Sequence, residues 1–167
     1  FLFSKSNLFD VDMTPESYQQ SMIGLSMENG KLIALFNELR TALLTRLKGD
    51  RGQRDTRRSL QYYFVAQDIH ERADSSHIDY QKLAKVFEHS DILFRFQRIL
   101  SLQGKTCNDL AESILHRTTY SHSNRVEHAF KNLRKSLEKL RQEQQYDPVW
   151  INALFSLYQN LKSIDAQ

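Results

Sequence analysis

The helical character of the chain is clearest in residues 126–140, VEHAFKNLRKSLEKL. The apolar positions of this stretch recur at alternating spacings of four and three residues: Val126, Phe130, Leu133, Leu137 and Leu140. Such spacing places apolar side chains along one face of a helix, as in a bundle or a short coiled coil. The pattern therefore predicts a helix that packs by one face, and it suits self-association or an intramolecular core equally well.

A long helix is predicted upstream, over about residues 14–47. Thr14-Pro15-Glu16 is typical of a helix start, with a capping hydroxyl, Pro at the first helical position and an acid in the first turn. The second half of this stretch is strongly periodic in apolar residues. Gly24 and the pair Asn29-Gly30 could divide the stretch, so two helices remain an alternative.

The remaining helices are predicted over roughly residues 53–73, 79–88, 91–117, 124–143 and from 147 onward. In the first of these the inward side chains should be Leu60, Phe64, Val65, Ile69 and Ala73. Asn124 and Glu127 have the spacing of a capping box, and Gly104 could bend the helix that contains it. Residues 1–13 are expected to be an irregular lead-in that packs Phe3, Leu8, Phe9 and Val11 against the bundle.

Few residues in the chain favour turns, since its 167 residues include only 5 Gly and 2 Pro. An all-β fold needs a turn about every ten residues and is therefore excluded. The expected fold is all-α, an antiparallel helical bundle of about six helices in one soluble domain over residues 1–167.

A basic segment stands out in a chain whose net charge is only +3. Between residues 46 and 58, six cations face Asp50 and Asp55, which leaves a local charge of +4. These cations are Arg46, Lys48, Arg51, Arg54, Arg57 and Arg58. They form a candidate membrane-proximal basic loop, because each cation near an anionic lipid surface contributes about 1 kcal/mol. One alternative interpretation of the segment is a solvated loop. Another is RNA binding, with bases stacked on Tyr62 and Tyr63, although no nucleic acid is expected as a partner.

Two absences indicate where the chain belongs. Its single cysteine, Cys107, cannot form an intrachain disulfide, which favours a reducing compartment. The longest apolar runs, such as residues 32–36, are far shorter than the ~20 residues of a membrane span. Because the first residue is Phe1, the chain is interpreted as a piece of a longer protein.

No motif predicts catalysis, a metal site or a cofactor. His70 and His77 are seven residues apart, whereas zinc-binding His pairs on a helix are four apart. His116, His122 and His128 recur every six residues and so do not share one helical face. Cys107 is expected in the core, where a thiol is usually inert. The chain is therefore predicted not to be an enzyme.

Three stretches carry a family resemblance: LRTALL at 39–44, LQYYFVAQDIHERA at 60–73 and HSDILFRFQR at 89–98. They resemble the cytoplasmic domain of the YccS/YhfK family of bacterial inner-membrane proteins, relatives of fusaric-acid-resistance and aromatic-acid exporters. The resemblance implies a non-catalytic module for assembly, gating or partner contact in efflux of aromatic or organic acids. It also implies the cytoplasmic side of the inner membrane as location, and the transmembrane segments of the same full-length chain as partners. No catalytic or ligand-binding residue comes with it.

The same block contains a candidate polar network or partner surface. Its members are Asp68, His70, Glu71, Arg72, His77, Arg95 and Arg98. Asp68 and Arg72 are four residues apart and can pair on one helix. Arg95 and Arg98 could reach Asp68 and Glu71 if their helices pack together. The alternative to the exporter-like module is a free-standing interaction or signalling module with His70 as a phosphorelay residue.

Overall fold

The computed structural model describes residues 1–49, 53–75 and 78–167, and these ranges contain helices but no β-strand. The prediction of an all-α bundle is therefore confirmed. The helices among these residues are α1 (Leu2–Asn7), α2 (Pro15–Leu47), α3 (Gln53–Asp74), α4 (Tyr80–Val86), α5 (Ile92–His116), α6 (Arg125–Glu143) and α7 (Pro148–Asp165).

Helix α5 lies at the centre of the bundle and packs against α1, α6 and α7. Its inward face contributes Phe96, Ile99 and Leu100, whose side chains are completely buried. The apolar face predicted for residues 126–140 of α6 packs against α5. On this face Val126, Phe130, Leu133 and Leu137 are buried, and Leu140 is partly buried. The apolar spacing of α6 thus serves the intramolecular core.

The predicted helix starts are confirmed at Thr14 and Asp147. The Oγ1 of Thr14 accepts a hydrogen bond from the backbone N–H of Ser17 at 3.2 Å, and Oδ1 of Asp147 accepts one from Val149 at 2.8 Å. Asn124 is the residue that precedes α6, but its side chain makes no capping bond. The predicted capping box is therefore wrong, and the Oγ of the neighbouring Ser123 accepts the bond from Arg125 instead, at 3.3 Å.

The expectation of an irregular lead-in is wrong for Leu2–Asn7, which form α1. This short helix is stabilised by packing on α5, where a face of Leu2, Lys5 and Ser6 is buried. Just after α1, Phe9 packs edge-on against Tyr80 with ring centroids 5.0 Å apart. Phe3 is more exposed than predicted.

Helix α2 runs through Gly24 and Asn29-Gly30 without a break. A glycine inside a helix costs about 1 kcal/mol relative to Ala, and the continuous hydrogen-bond ladder of a 33-residue helix offsets that cost. Asn29, which often forms turns, instead directs its side chain across to α3, where it meets His70. The alternative of two separate helices is therefore excluded.

Helices α2 and α3 form a hairpin, and α3 also packs against α7. The side of α3 that faces α2 buries residues at intervals of seven: Thr56, Tyr63 and His70. Phe36 of α2 packs against the rings of Tyr63 and His70, at 5.7 and 5.6 Å. The predicted inward set was wrong at Phe64, which is 61% exposed. Residues 62–65 are all apolar or aromatic, so the pattern alone does not decide whether Tyr63 or Phe64 faces inward.

Candidate functional site

In the part of the chain that the structure describes, Arg95 and Arg98 do not contact Asp68 or Glu71, and several members of the predicted network pair locally instead. Arg72 Nε lies 2.9 Å from Asp68 Oδ2 on α3, and Arg95 lies 2.7 Å from Asp91 at the start of α5. Glu71 accepts a hydrogen bond from Gln67 at 3.0 Å. The physical reason is that α3 packs on α2 and α7, so that a cleft separates it from α5. Arg98 is exposed on α5, and His77 lies outside the described residues.

His70 is the member of this set with a tertiary contact. Its side chain is 8% exposed, and its Nε2 lies 2.6 Å from Oδ1 of Asn29, a carbonyl oxygen that can only accept, so the ring nitrogen donates. Burial lowers the pKa of His70, against an opposing effect of Asp74 and Glu71. A phosphorelay His must present its ring to a phosphodonor, and α2 covers this one. The burial of the ring and the bond of its Nε2 to Asn29 therefore favour a structural role for His70 over a phosphorelay role.

The C-terminal end of α3 is held by two side chains that sequence reasoning missed. Lys5 Nζ of α1 donates to the carbonyl of Ala73, and Asn160 Nδ2 of α7 donates to the carbonyl of Arg72 at 2.8 Å. Burial lowers the pKa of Lys5 to about 8, against the opposing charge of Asp74. Helix ends leave carbonyls without intrahelical partners, so these two bonds attach α3 to the bundle.

A cleft lies between α3 and α5, and one part of it is almost wholly apolar. This part has a volume of about 360 Å³. Side chains of α2, α3 and α5 that line it include Leu32, Phe36, Val65, Ile69, Cys107 and Leu110. Burial raises the pKa of the Cys107 thiol, which keeps it protonated and a poor nucleophile at neutral pH.

The second part of the cleft is polar and has a volume of about 570 Å³. Tyr62, Leu110 and Ile114 line both parts, so the two parts adjoin each other. The polar part is lined by Asp55, Arg58, Ser59, Arg117, Thr118 and Tyr120. The sequence did not predict the cleft, although it singled out some of its residues, because they come from α1, α2, α3 and α5, whose packing the periodicity does not specify.

The basic segment lies at one end of the α2–α3 hairpin. Arg46 and Lys48 end α2, while Arg54, Arg57 and Arg58 lie in the first turns of α3, and all five are exposed. The predicted member Arg51 lies outside the described residues. One of the five is engaged locally: Arg58 Nε donates to the hydroxyl of Tyr62 at 3.0 Å.

Much of α2 carries apolar side chains that nothing covers in the described structure. Leu43 is the one hydrophobic residue of this helix that is buried. The exposed large hydrophobics on it are Met22, Ile23, Met27, Ile33, Leu35, Leu39 and Leu44. Extended apolar surface of this kind marks a contact with another protein segment or a membrane.

Residues 1–49, 53–75 and 78–167 contain neither a metal-binding cluster nor a membrane-spanning helix. No three His, Cys, Asp or Glu side chains in these ranges are grouped so that they could hold a metal ion. No helix described there is long and apolar enough to cross a bilayer.

The comparison with known proteins places this all-helical chain in a class of inner membrane proteins. The model of the FUSC-like family, described as "FUSC-like inner membrane protein yccS", matches residues 1–167. The chain belongs to this family, and the resemblance seen in its sequence is confirmed.

Two relatives match over the whole chain. The chain is 49% identical to "Inner membrane protein YccS" of Escherichia coli K12 and 36% identical to an "Uncharacterized protein" of Haemophilus influenzae. In each case all 167 residues align, and they span 23% of the relative's length. No solved structure matches the chain.

Proposed function

We propose that the chain is a non-catalytic cytoplasmic module of an exporter-like inner-membrane protein, which contributes contacts for assembly or gating. The observation that carries the proposal is the exposed apolar surface of α2 in a member of an inner membrane protein family. An apolar surface of this extent costs free energy in water and is stabilised when another surface covers it.

The partner that covers α2 is the remainder of the same full-length chain. Each matched relative is more than four times as long as this chain, because the alignment spans 23% of it. Contacts within one chain form at high effective concentration, so a modest apolar surface is enough to hold them.

The cargo of the whole protein is proposed from the family resemblance to be aromatic or organic acids. In this proposal the basic end of the hairpin lies near the anionic inner leaflet, at Arg46, Lys48, Arg54 and Arg57. Their exposure supports the proposal, since each cation near such a surface contributes about 1 kcal/mol.

The membrane side of the module is tested with single cysteines in the full-length protein. In a Cys107→Ser background, Ser121→Cys places a thiol on the exposed segment between α5 and α6, away from α2. We expect a membrane-impermeant maleimide to label this thiol only after the inner membrane is opened. Labelling in intact spheroplasts would place the module outside the cytoplasm and overturn the proposal. The Cys107→Ser protein without the new cysteine is the control for background labelling.

A further inference from the structure

We propose that the cleft between α3 and α5 binds a single-chain anionic amphiphile, with its acyl chain in the apolar part and its acid group in the polar part. This binding site is distinct from the α2 surface and does not depend on the proposed function. It follows from the change in chemistry along the cleft, from an apolar part to an adjoining part that two arginines line.

The apolar part suits a hydrocarbon chain. Its volume of about 360 Å³ lies within the range of roughly 300–1,000 Å³ usual for small-molecule sites. His70 is a titratable residue in its lining, and its Nε2 is already bonded to Asn29. Because burial also lowers its pKa, His70 is neutral there at neutral pH, and no acidic side chain lines this part.

The polar part suits an acid group. Its lining holds two cations, Arg58 and Arg117, against one carboxylate, Asp55. The hydroxyls of Thr118 and Tyr120 add hydrogen-bond donors around them. Hydrogen bonds from guanidinium groups to a carboxylate are about twice as strong as bonds between neutral groups.

The length of the groove favours a single chain of medium length. Cys107 of α5 lines the apolar part, and Arg117, the residue directly after α5 and ten residues further on, lines the polar part. At 1.5 Å per residue they are about 15 Å apart along the helix axis. A dodecanoate chain is therefore a suitable probe, and the acid group at its end would lie beside Arg117 and Arg58.

The test is photolabelling of the full-length protein in its membranes with a diazirine derivative of dodecanoate, followed by peptide mapping. We expect the label on peptides that contain Tyr62–Ile69 of α3 and Cys107–Ile114 of α5. Ala66→Trp and Ala111→Trp should reduce it at least tenfold, because both alanines line the apolar part and are exposed enough to accept the ring without disturbing the core. The matched control is Ala34→Trp on the exposed side of α2, which should label like the parent protein.

The acid group is tested by competition in the same assay. Unlabelled dodecanoate should compete at least tenfold better than dodecanol, and the combined Arg58→Gln and Arg117→Gln variant should abolish that difference. Arg57→Gln, which changes a neighbouring cation outside the cleft, should preserve it.

Three results would overturn the proposal. The first is the absence of label from the cleft peptides, as expected if another segment of the chain fills the groove. The second is equal labelling by a diazirine phosphatidylcholine without loss in Ala111→Trp, as expected if this surface simply enters the bilayer. The third is equal competition by dodecanol and dodecanoate.

Discussion

At the scale of single residues, the polar contacts that stabilise this fold link helices far apart in the chain. Asn29 bonds His70, and Lys5 and Asn160 bond the last carbonyls of α3. The sequence predicted that His70 belongs to a polar set, but it did not predict any of these partners. A buried polar group takes whichever partner the packed helices bring within reach, and spacing along one helix does not contain that information.

The bond between Asn29 and His70 gives the first prediction at this scale. Asn29→Ala should lower the free energy of unfolding by about 1–3 kcal/mol, because the buried N–H of His70 loses its acceptor. Urea unfolding of the 1–167 chain measures the change. Asn37→Ala, at an exposed position of the same helix, should change stability by no more than about 0.5 kcal/mol. Equal effects of the two substitutions would contradict the bond.

The pH dependence of stability gives a second prediction for His70. Burial lowers its pKa in the folded state, so the unfolded chain binds a proton at higher pH than the folded chain. Stability is therefore lost as the pH falls below about 6.5, the ordinary value for His. His70→Gln should make the loss between pH 7.5 and 5 smaller, as measured by urea unfolding. His128→Gln, on the exposed side of α6, should leave the loss of stability between pH 7.5 and 5 as it is in the parent protein. The same loss in His70→Gln as in the parent would contradict a buried neutral ring at His70.

At the scale of helices, the apolar pattern predicted the buried face correctly where apolar residues lie on one side of the helix. It did not predict that face where apolar residues are spread around the helix. The heptad at Val126–Leu140 predicted its buried face correctly. In α3, either Tyr63 or its neighbour Phe64 could face inward by the apolar pattern. Packing against Phe36 of α2 decides in favour of Tyr63, which is buried. In α2 the turn signals at Gly24 and Asn29-Gly30 were overridden by a continuous helix.

Glycines in two helices provide a matched prediction. A Cβ at Gly24 would meet no atom within 4 Å, whereas one at Gly104 would lie 3.1 Å from the ring of Phe3. Gly24→Ala should therefore raise the free energy of unfolding by roughly 0.5–1 kcal/mol through helix propensity. Gly104→Leu should lower it by about 1–3 kcal/mol, since its side chain pushes α1 away from α5. Thermal or urea unfolding measures both, and a stable Gly104→Leu protein would show that α1 does not pack there.

At the scale of the whole molecule, the fold class and the family followed from the sequence, but the arrangement of the helices did not. The expected approach of Arg95 and Arg98 to Asp68 required α3 and α5 to pack together. A cleft lies between these two helices instead, because α2 and α7 occupy the sides of α3 on which it packs. The surfaces that remain, the exposed apolar residues of α2 and this cleft, are thus properties of the assembled bundle.

The central claim is that this module makes contacts on which an exporter-like membrane protein depends. The direct measurement is growth of a strain lacking the gene in the presence of aromatic and organic acids, after complementation with full-length variants. Ile23→Glu combined with Met27→Glu charges adjacent exposed positions of α2. The control adds the same charges at Gln19 and Gln20, which are already polar and exposed.

The account predicts that the parent protein and the Gln19→Glu, Gln20→Glu control restore resistance to at least one such acid. The Ile23→Glu, Met27→Glu variant should fail to restore it at an equal level in the membrane. Full resistance from that variant, or from a protein that lacks residues 1–167 altogether, would contradict the claim that the module is needed for transport.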